Sequence, residues 1–166
     1  MRAICAIVAS LGLAGTVFAD TINVPADYPT IQGAVDAANN GDEIVVAPGI
    51  YQASNTAEAV VHIDNKSLII RSSDGFDVTT ITGSAPSNQV GILITGTDTD
   101  CRIEGFRIRN CITQDNGAGL RATGGMNLIL RNLVIEDNTA ANGGGGLSLE
   151  NLPSLVMQDC RISGNR

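Results

Sequence analysis

The sequence predicts an all-β solenoid, a coil of short strands in which each turn stacks on the next. Bulky residues recur at a spacing of 27 positions in the second half of the chain, in five registers. A unit that cannot bury its apolar face alone must stack on a neighbour. The predicted columns are Leu93, Leu120 and Leu147; Cys101, Leu128 and Leu155; Ile103, Leu130 and Met157; Phe106, Leu133 and Cys160; and Ile108, Ile135 and Ile162.

Two further observations favour strands over helices. In the stretch from Cys101 to Ile108, the first, third, sixth and eighth residues are apolar, which is strand alternation interrupted by a bend. The chain has 19 glycines and only 3% aromatic residues, a composition that suits many tight turns better than a globular enzyme core. Each repeat is therefore predicted to be short strands joined at corners.

Residues 20–58 are predicted to form an N-terminal cap of strand, helix and strand. Thr30 is a good helix N-cap, and Glu43 opens a strand after the Asn39-Asn40-Gly41 stop. Such a helix would cover the apolar cross-section and free strand edges of the first coil. The apolar stripe of the helix is Ile31, Ala34, Val35 and Ala38.

Residues 59–166 are predicted to form the coils, with an irregular first coil and three regular ones from about residue 90. Cys111, Asn138 and Asn165 share the position that closes each coil, where stacked amides can satisfy turn carbonyls and amides. The last residues, 163–166, include no amphipathic capping segment. We therefore expect a truncated C-terminal end or a last coil covered by a partner, with end-to-end association through it.

The N-terminus predicts export. Arg2 precedes an uncharged apolar run, and Val17-Phe18-Ala19 fits a cleavage site, so residues 1–19 are predicted to be a signal peptide. The run is shorter than the roughly 20 residues of a membrane anchor, the alternative interpretation. We expect a secreted or cell-envelope location and no membrane span after the signal is removed. With 17 acidic against 10 basic residues, a nucleic-acid partner is not expected.

Three cysteines follow the predicted signal: Cys101, Cys111 and Cys160. Cys101 and Cys160 lie in apolar columns, which favours small buried hydrophobic residues. A Cys101 to Cys111 bridge that closes one coil is the alternative, since the expected compartment is oxidising. The spacing fits no zinc motif.

The opening of the predicted cap resembles a known family. Tyr28-Pro-Thr-Ile-Gln32, Ala37-Ala38 and Pro48-Gly49-Ile-Tyr51 resemble the start of right-handed parallel β-helix proteins of the pectin-lyase-like superfamily, especially pectin methylesterases and bacterial surface proteins. Gly143–Gly146 and Ser163-Gly164-Asn165 resemble repeats of polymorphic outer-membrane proteins. The resemblance implies a right-handed single-stranded parallel β-helix with a short N-terminal capping helix.

No catalytic residue transfers from that family. Gln114-Asp115 is followed by Asn116 rather than by threonine, and the chain contains no tryptophan. The sequence therefore predicts an exported β-helix module of a cell-surface or envelope protein, with a polysaccharide or surface-protein partner bound on its lateral faces. The alternative is a polysaccharide lyase or carbohydrate esterase with an incomplete site.

Four residues are the candidates for binding: Asp98, Asp100, Glu104 and Arg107. Asp98, Asp100 and Glu104 could place carboxylates on one patch that holds Ca²⁺, although a solvated turn explains the same residues. Arg107 and Arg161 fall in one lateral row and could fork onto sugar carboxylates, or belong to a solvated charged face. No resident cofactor or metal ligand set is otherwise predicted.

Overall fold

A computed structural model describes residues 19–53, 57–84 and 88–166. Most of the predicted signal peptide, residues 1–18, lies outside the described residues. In chain order the elements are β1 (Thr21–Val24), α1 (Ile31–Ala37), β2 (Glu43–Val46), β3 (Gly49–Tyr51), β4 (Ala59–Asp64), β5 (Leu68–Ser72), β6 (Thr79–Thr82), β7 (Val90–Thr95), β8 (Asp100–Glu104), β9 (Arg107–Arg109), β10 (Ile112–Thr113), β11 (Leu120–Thr123), β12 (Asn127–Arg131), β13 (Val134–Glu136), β14 (Thr139–Ala140), β15 (Leu147–Glu150), β16 (Ser154–Gln158) and β17 (Arg161–Ser163).

Three long parallel sheets run along the stack, so the fold is a parallel β-helix. Their strand orders are β1-β2-β5-β8-β12-β16, β3-β6-β9-β13-β17 and β15-β11-β7-β4, and β10 pairs with β14 in a short fourth sheet. Non-consecutive strands pair because each coil places one strand in each long sheet. The predicted solenoid is confirmed.

Side chains that point inward form vertical files through the core. One file runs through all six strands of the largest sheet, as Ile22, Ile44, Ile70, Ile103, Leu130 and Met157. The predicted columns that begin at Cys101, Ile103 and Ile108 are confirmed by strand pairing. In the Phe106 column, the Val134 amide donates to the Phe106 carbonyl and the Arg161 amide to that of Leu133.

The predicted Leu93 column is wrong by one position. Leu120 pairs with Ile92, whereas Leu93 lies opposite Arg121 and packs in a separate small cluster with Ala59 and Val90. The cause is one extra residue in the turn at 96–99, because the equivalent turn of the next coil spans only 124–126. A shift of one residue moves a side chain to the other face of a strand.

Residues with positive φ make the corners. The corner between the first two sheets uses Gly105, Asn132 and Asp159, whose φ values are 78°, 49° and 54°. Glycine, asparagine and aspartate are the residues that tolerate this conformation best. The strand and bend predicted for residues 101–108 therefore correspond to β8, a corner at Gly105, and β9.

The predicted asparagine ladder is present beside the next corner. Asn138 Oδ1 accepts from the Cys111 amide at 3.0 Å, and Asn165 Oδ1 accepts from the Asn138 amide at 3.0 Å. Each asparagine also donates to a carbonyl of the preceding coil, Ile108 or Ile135. Asn138 is fully buried, so the ladder satisfies backbone groups that no water reaches.

The helix α1 covers the first coil as predicted. Thr30 is its N-cap, and Ile31, Ala34 and Val35 are buried. Gln32 pairs with the free edge of β4, because its Oε1 accepts from the His62 amide at 2.6 Å and its Nε2 donates to the His62 carbonyl at 3.1 Å. One side chain thus replaces a neighbouring strand.

Lys66, the only lysine, closes the other end of α1. Its Nζ donates to the carbonyls of Val35, Asp36 and Ala38 at 2.7, 3.0 and 2.8 Å. These carbonyls have no partner within the helix, and they carry the negative end of its dipole. The ammonium therefore ties the cap to the first coil.

We expect Lys66→Met to lower the free energy of unfolding by about 1–2 kcal/mol, because it removes three charge-assisted hydrogen bonds and keeps the aliphatic stem. Urea denaturation followed by circular dichroism measures the change. Unaltered stability of the variant would contradict a capping role for Lys66.

Apolar residues remain exposed in the last coil. Leu155, Met157 and Ile162 occupy inward positions yet are 42%, 39% and 47% exposed. End-to-end association through this coil stays a prediction. Within the described residues, no helix is long and apolar enough to cross a membrane.

Candidate functional site

The structure does not gather the four predicted binding residues into one site. Asp98 is exposed, with φ 55°, in the turn that contains the extra residue. Asp100 and Glu104 lie at the two ends of β8, with Arg102 between them on the same outer face and paired to Glu104. Arg107 begins β9 on the next sheet.

A calcium site receives no support from these carboxylates. Among residues 19–53, 57–84 and 88–166, no group of three or more His, Cys, Asp or Glu side chains could hold a metal ion. The Asp100 carboxylate instead accepts from Asn127 Nδ2 at 2.8 Å, which links neighbouring coils. The solvated-turn interpretation therefore fits Asp98, whereas Asp100 begins β8.

Arg107 belongs to a network of charges on the five-stranded sheet. Val134 separates Arg107 from Arg161 in one outward row, as predicted, and Glu136 lies in the adjacent row. Its carboxylate pairs with Arg107 Nη1 and, at 3.0 Å, with Arg161 Nη2. Arg107 Nη2 also lies 3.5 Å from Asp77 Oδ1. The four charged side chains are thus joined across four successive coils.

A loop beside this network forms one wall of a groove. The corner between the first two sheets takes two residues in each later coil but six, residues 73–78, between β5 and β6. Ser72 holds this loop: its hydroxyl accepts from the amides of Asp74 and Gly75 at 3.2 and 2.9 Å and bonds Thr79 Oγ1 at 2.6 Å. The overhanging loop is therefore ordered by its own hydrogen bonds.

We call the resulting cavity the corner groove. It has a volume of about 330 Å³, within the usual range for small-ligand sites. Its lining includes four residues with apolar surfaces, Phe76, Leu133, Val134 and Cys160, and four charged residues, Asp77, Arg107, Asp159 and Arg161. Of these residues, the sequence indicated Arg107 as a binding candidate, with Arg161 in the same row. Phe76 and Asp77 could have been found as site residues because residues 73–78 form a longer corner than the two-residue corners of the later coils.

The single histidine has a polar partner that the sequence did not indicate. His62 Nε2 lies 3.2 Å from Thr95 Oγ1 on the outer face of the four-stranded sheet. That hydroxyl donates to Asp64 Oδ1 at 2.8 Å, so its proton is directed away from the imidazole.

The thiols do not form the alternative bridge. Cys101, Cys111 and Cys160 are all free, and Cys101 Sγ donates to the Lys66 carbonyl at 3.2 Å. Burial raises the pKa of the Cys101 thiol, and it raises the pKa of the Cys111 thiol from 9.0 to about 12. Both are therefore neutral, structural side chains at ordinary pH.

We expect the Cys111 thiol to make the fold sensitive to alkali. The unfolded chain loses this proton near pH 9 and the folded chain only near pH 12, so stability is full below pH 9 and falls as the pH rises toward 12. The free energy of unfolding that is lost through Cys111 reaches about 4 kcal/mol at pH 12. Chemical denaturation from pH 8 to 11 checks this, and Cys111→Ala should flatten the slope; an unchanged slope would contradict it.

A stack of coils joined by parallel sheets, with a groove on one flank, defines a β-helix repeat domain. Residues 60–166 match the family model described as "Right handed beta helix region", which covers more than half of the chain. The chain therefore belongs to the right-handed β-helix family. No curated protein and no solved structure matches it. The narrower resemblance to pectin-lyase-like proteins stays a prediction.

Proposed function

We propose that this chain is an exported β-helix repeat module of a cell-surface protein and that it binds glycans through its lateral faces. The observation that carries the proposal is the corner groove, which combines apolar and charged lining residues on the outer face of the five-stranded sheet. Binding residues commonly lie on irregular loops that a regular scaffold holds in place. The charged and apolar pattern of residues 1–19 supports export.

Glycan-array binding of the purified protein tests the proposal, with polyuronate turnover measured on the same material. Retention of glycans without turnover supports a binding module. If the protein binds surface proteins in a pull-down but no glycan on the array, the proposed glycan partner is wrong. Turnover of polyuronate would favour the lyase or esterase alternative. Absence of every kind of binding would overturn the proposal.

Export is tested separately by fractionating the producing cells and sequencing the N-terminus of the recovered protein. We expect an extracytoplasmic chain that begins at Asp20. A cytoplasmic chain that retains Met1 would contradict export.

A further inference from the structure

We propose that the corner groove binds a neutral saccharide, recognised through neighbouring hydroxyl groups rather than through a carboxylate. This inference rests on the proposed function and specifies the ligand class of the same lateral face. It differs from the sequence-based expectation, in which Arg107 and Arg161 would fork onto sugar carboxylates.

The charge of the groove argues against an acidic ligand. Arg107 and Arg161 carry two positive charges, but Asp77, Asp159 and Glu136 bring three negative ones to the same network and walls. Glu136 already pairs with both guanidinium groups. A uronate would have to compete with that carboxylate and would meet two more, which costs energy through like-charge repulsion.

The donor and acceptor pattern suits hydroxyl groups. A guanidinium can only donate hydrogen bonds, and an ionised carboxylate can only accept them, whereas a hydroxyl group does both. The Asp77 and Arg161 side chains are 80% and 64% exposed, so their charged groups are accessible to a ligand. Adjacent hydroxyls of a sugar ring can satisfy one group of each kind.

The apolar lining residues of the groove suit the C–H face of a sugar ring, which makes no hydrogen bonds. Leu133 and Val134 are buried beneath the groove, and Phe76 is half-buried in its wall. An aromatic ring offers a large apolar surface at small entropic cost, and a ring of C–H groups can pack on it. Because Ser72 orders the loop, little conformational entropy is lost when Phe76 makes this contact.

Titration calorimetry of the full protein tests the ligand class. The probes are oligosaccharides of glucose, galactose and mannose, with oligogalacturonate as the acidic counterpart. We expect binding of at least one neutral probe in preference to oligogalacturonate. Asp77→Asn should weaken the binding at least about tenfold, and Phe76→Ala should do the same.

Asp74→Asn is the matched control, because it removes the same charge from the same loop at a residue outside the groove lining. It should leave the affinity unchanged. Unfolding transitions of all variants are recorded, and Phe76→Leu replaces Phe76→Ala if the latter does not fold.

The sign of the Asp77→Asn effect decides the inference. If the Asp77→Asn variant binds the probes more tightly, or if the unaltered protein prefers oligogalacturonate to the neutral probes, the groove is an anion site and the inference is overturned. Neutral-glycan binding that is indifferent to Asp77→Asn and to both Phe76 variants would place the glycan elsewhere, so the inference fails while the proposed function stands. Binding of no glycan at all would overturn both.

Discussion

Asn138→Ala is expected to lower the free energy of unfolding by about 3–5 kcal/mol, which makes it one of the two most damaging substitutions considered. The side chain is fully buried. Its loss leaves the buried Cys111 amide without its acceptor, at a cost of about 1–3 kcal/mol. It also removes the side-chain bonds to the Ile108 carbonyl and to Asn165 Oδ1, and it opens a small cavity. Urea denaturation followed by circular dichroism gives the difference.

Asn127→Ala is the matched control for Asn138→Ala. Asn127 is exposed at the start of β12, and its side chain donates to the Asp100 carboxylate. Exposed hydrogen bonds of this kind contribute little, so the control should lose less than about 1 kcal/mol. Equal losses in the two variants would show that the ladder adds no stability beyond an ordinary surface contact.

The core of the coils could be predicted from the sequence because two periods act together. Alternation fixes which residues of a strand point inward, and the 27-residue spacing fixes which strands stack, so the Cys101 and Ile108 columns follow. The Leu93 column failed because the 27-residue comparison ignored the extra residue in the turn at 96–99. Turn length determines register as strongly as the apolar pattern does.

The candidate site was only partly predictable for the same reason. The Arg107 and Arg161 row follows from strand register, which translates one coil onto the next. Phe76 and Asp77 lie in a loop whose path depends on the hydrogen bonds of Ser72, and a loop carries no periodic signal. Asp98 lies in the turn between β7 and β8, whereas the Arg107 row belongs to the sheet of β9.

Contacts between cap and coil were equally hidden. Gln32 and Lys66 make their bonds to residues about 30 positions away, across two elements. The cap helix itself was evident from its apolar stripe and from Thr30. The side chains that attach it are polar residues with no local pattern, so only the assembled fold identifies their partners.

Gly119→Ala should be comparably destabilising, by about 3 kcal/mol, through steric overlap alone. Gly91, Gly119 and Gly146 form a column, and at Gly91 and Gly119 a Cβ would come within 2.5 Å of the carbonyl oxygen of the next glycine in it. A Cβ at Gly119 would lie 2.5 Å from the Gly146 carbonyl oxygen and 2.6 Å from Ile135 Cγ2. Since the obstruction includes backbone of a stacked coil, the coils would have to separate locally to relieve it.

Gly125→Ala is the matched control for Gly119→Ala. Neither glycine has a positive φ, so backbone strain affects neither variant. A Cβ at Gly125 would meet its nearest neighbour only at 3.9 Å, so steric overlap is absent there. Alanine there restricts the unfolded chain and should be neutral or slightly stabilising. Thermal and urea unfolding of the pair compare them directly. If both variants unfold alike, the close approach of the coils at the glycine column does not limit stability. The coils would then have to accept a wider separation than the buried, stacked side chains of Ile108 and Ile135 indicate.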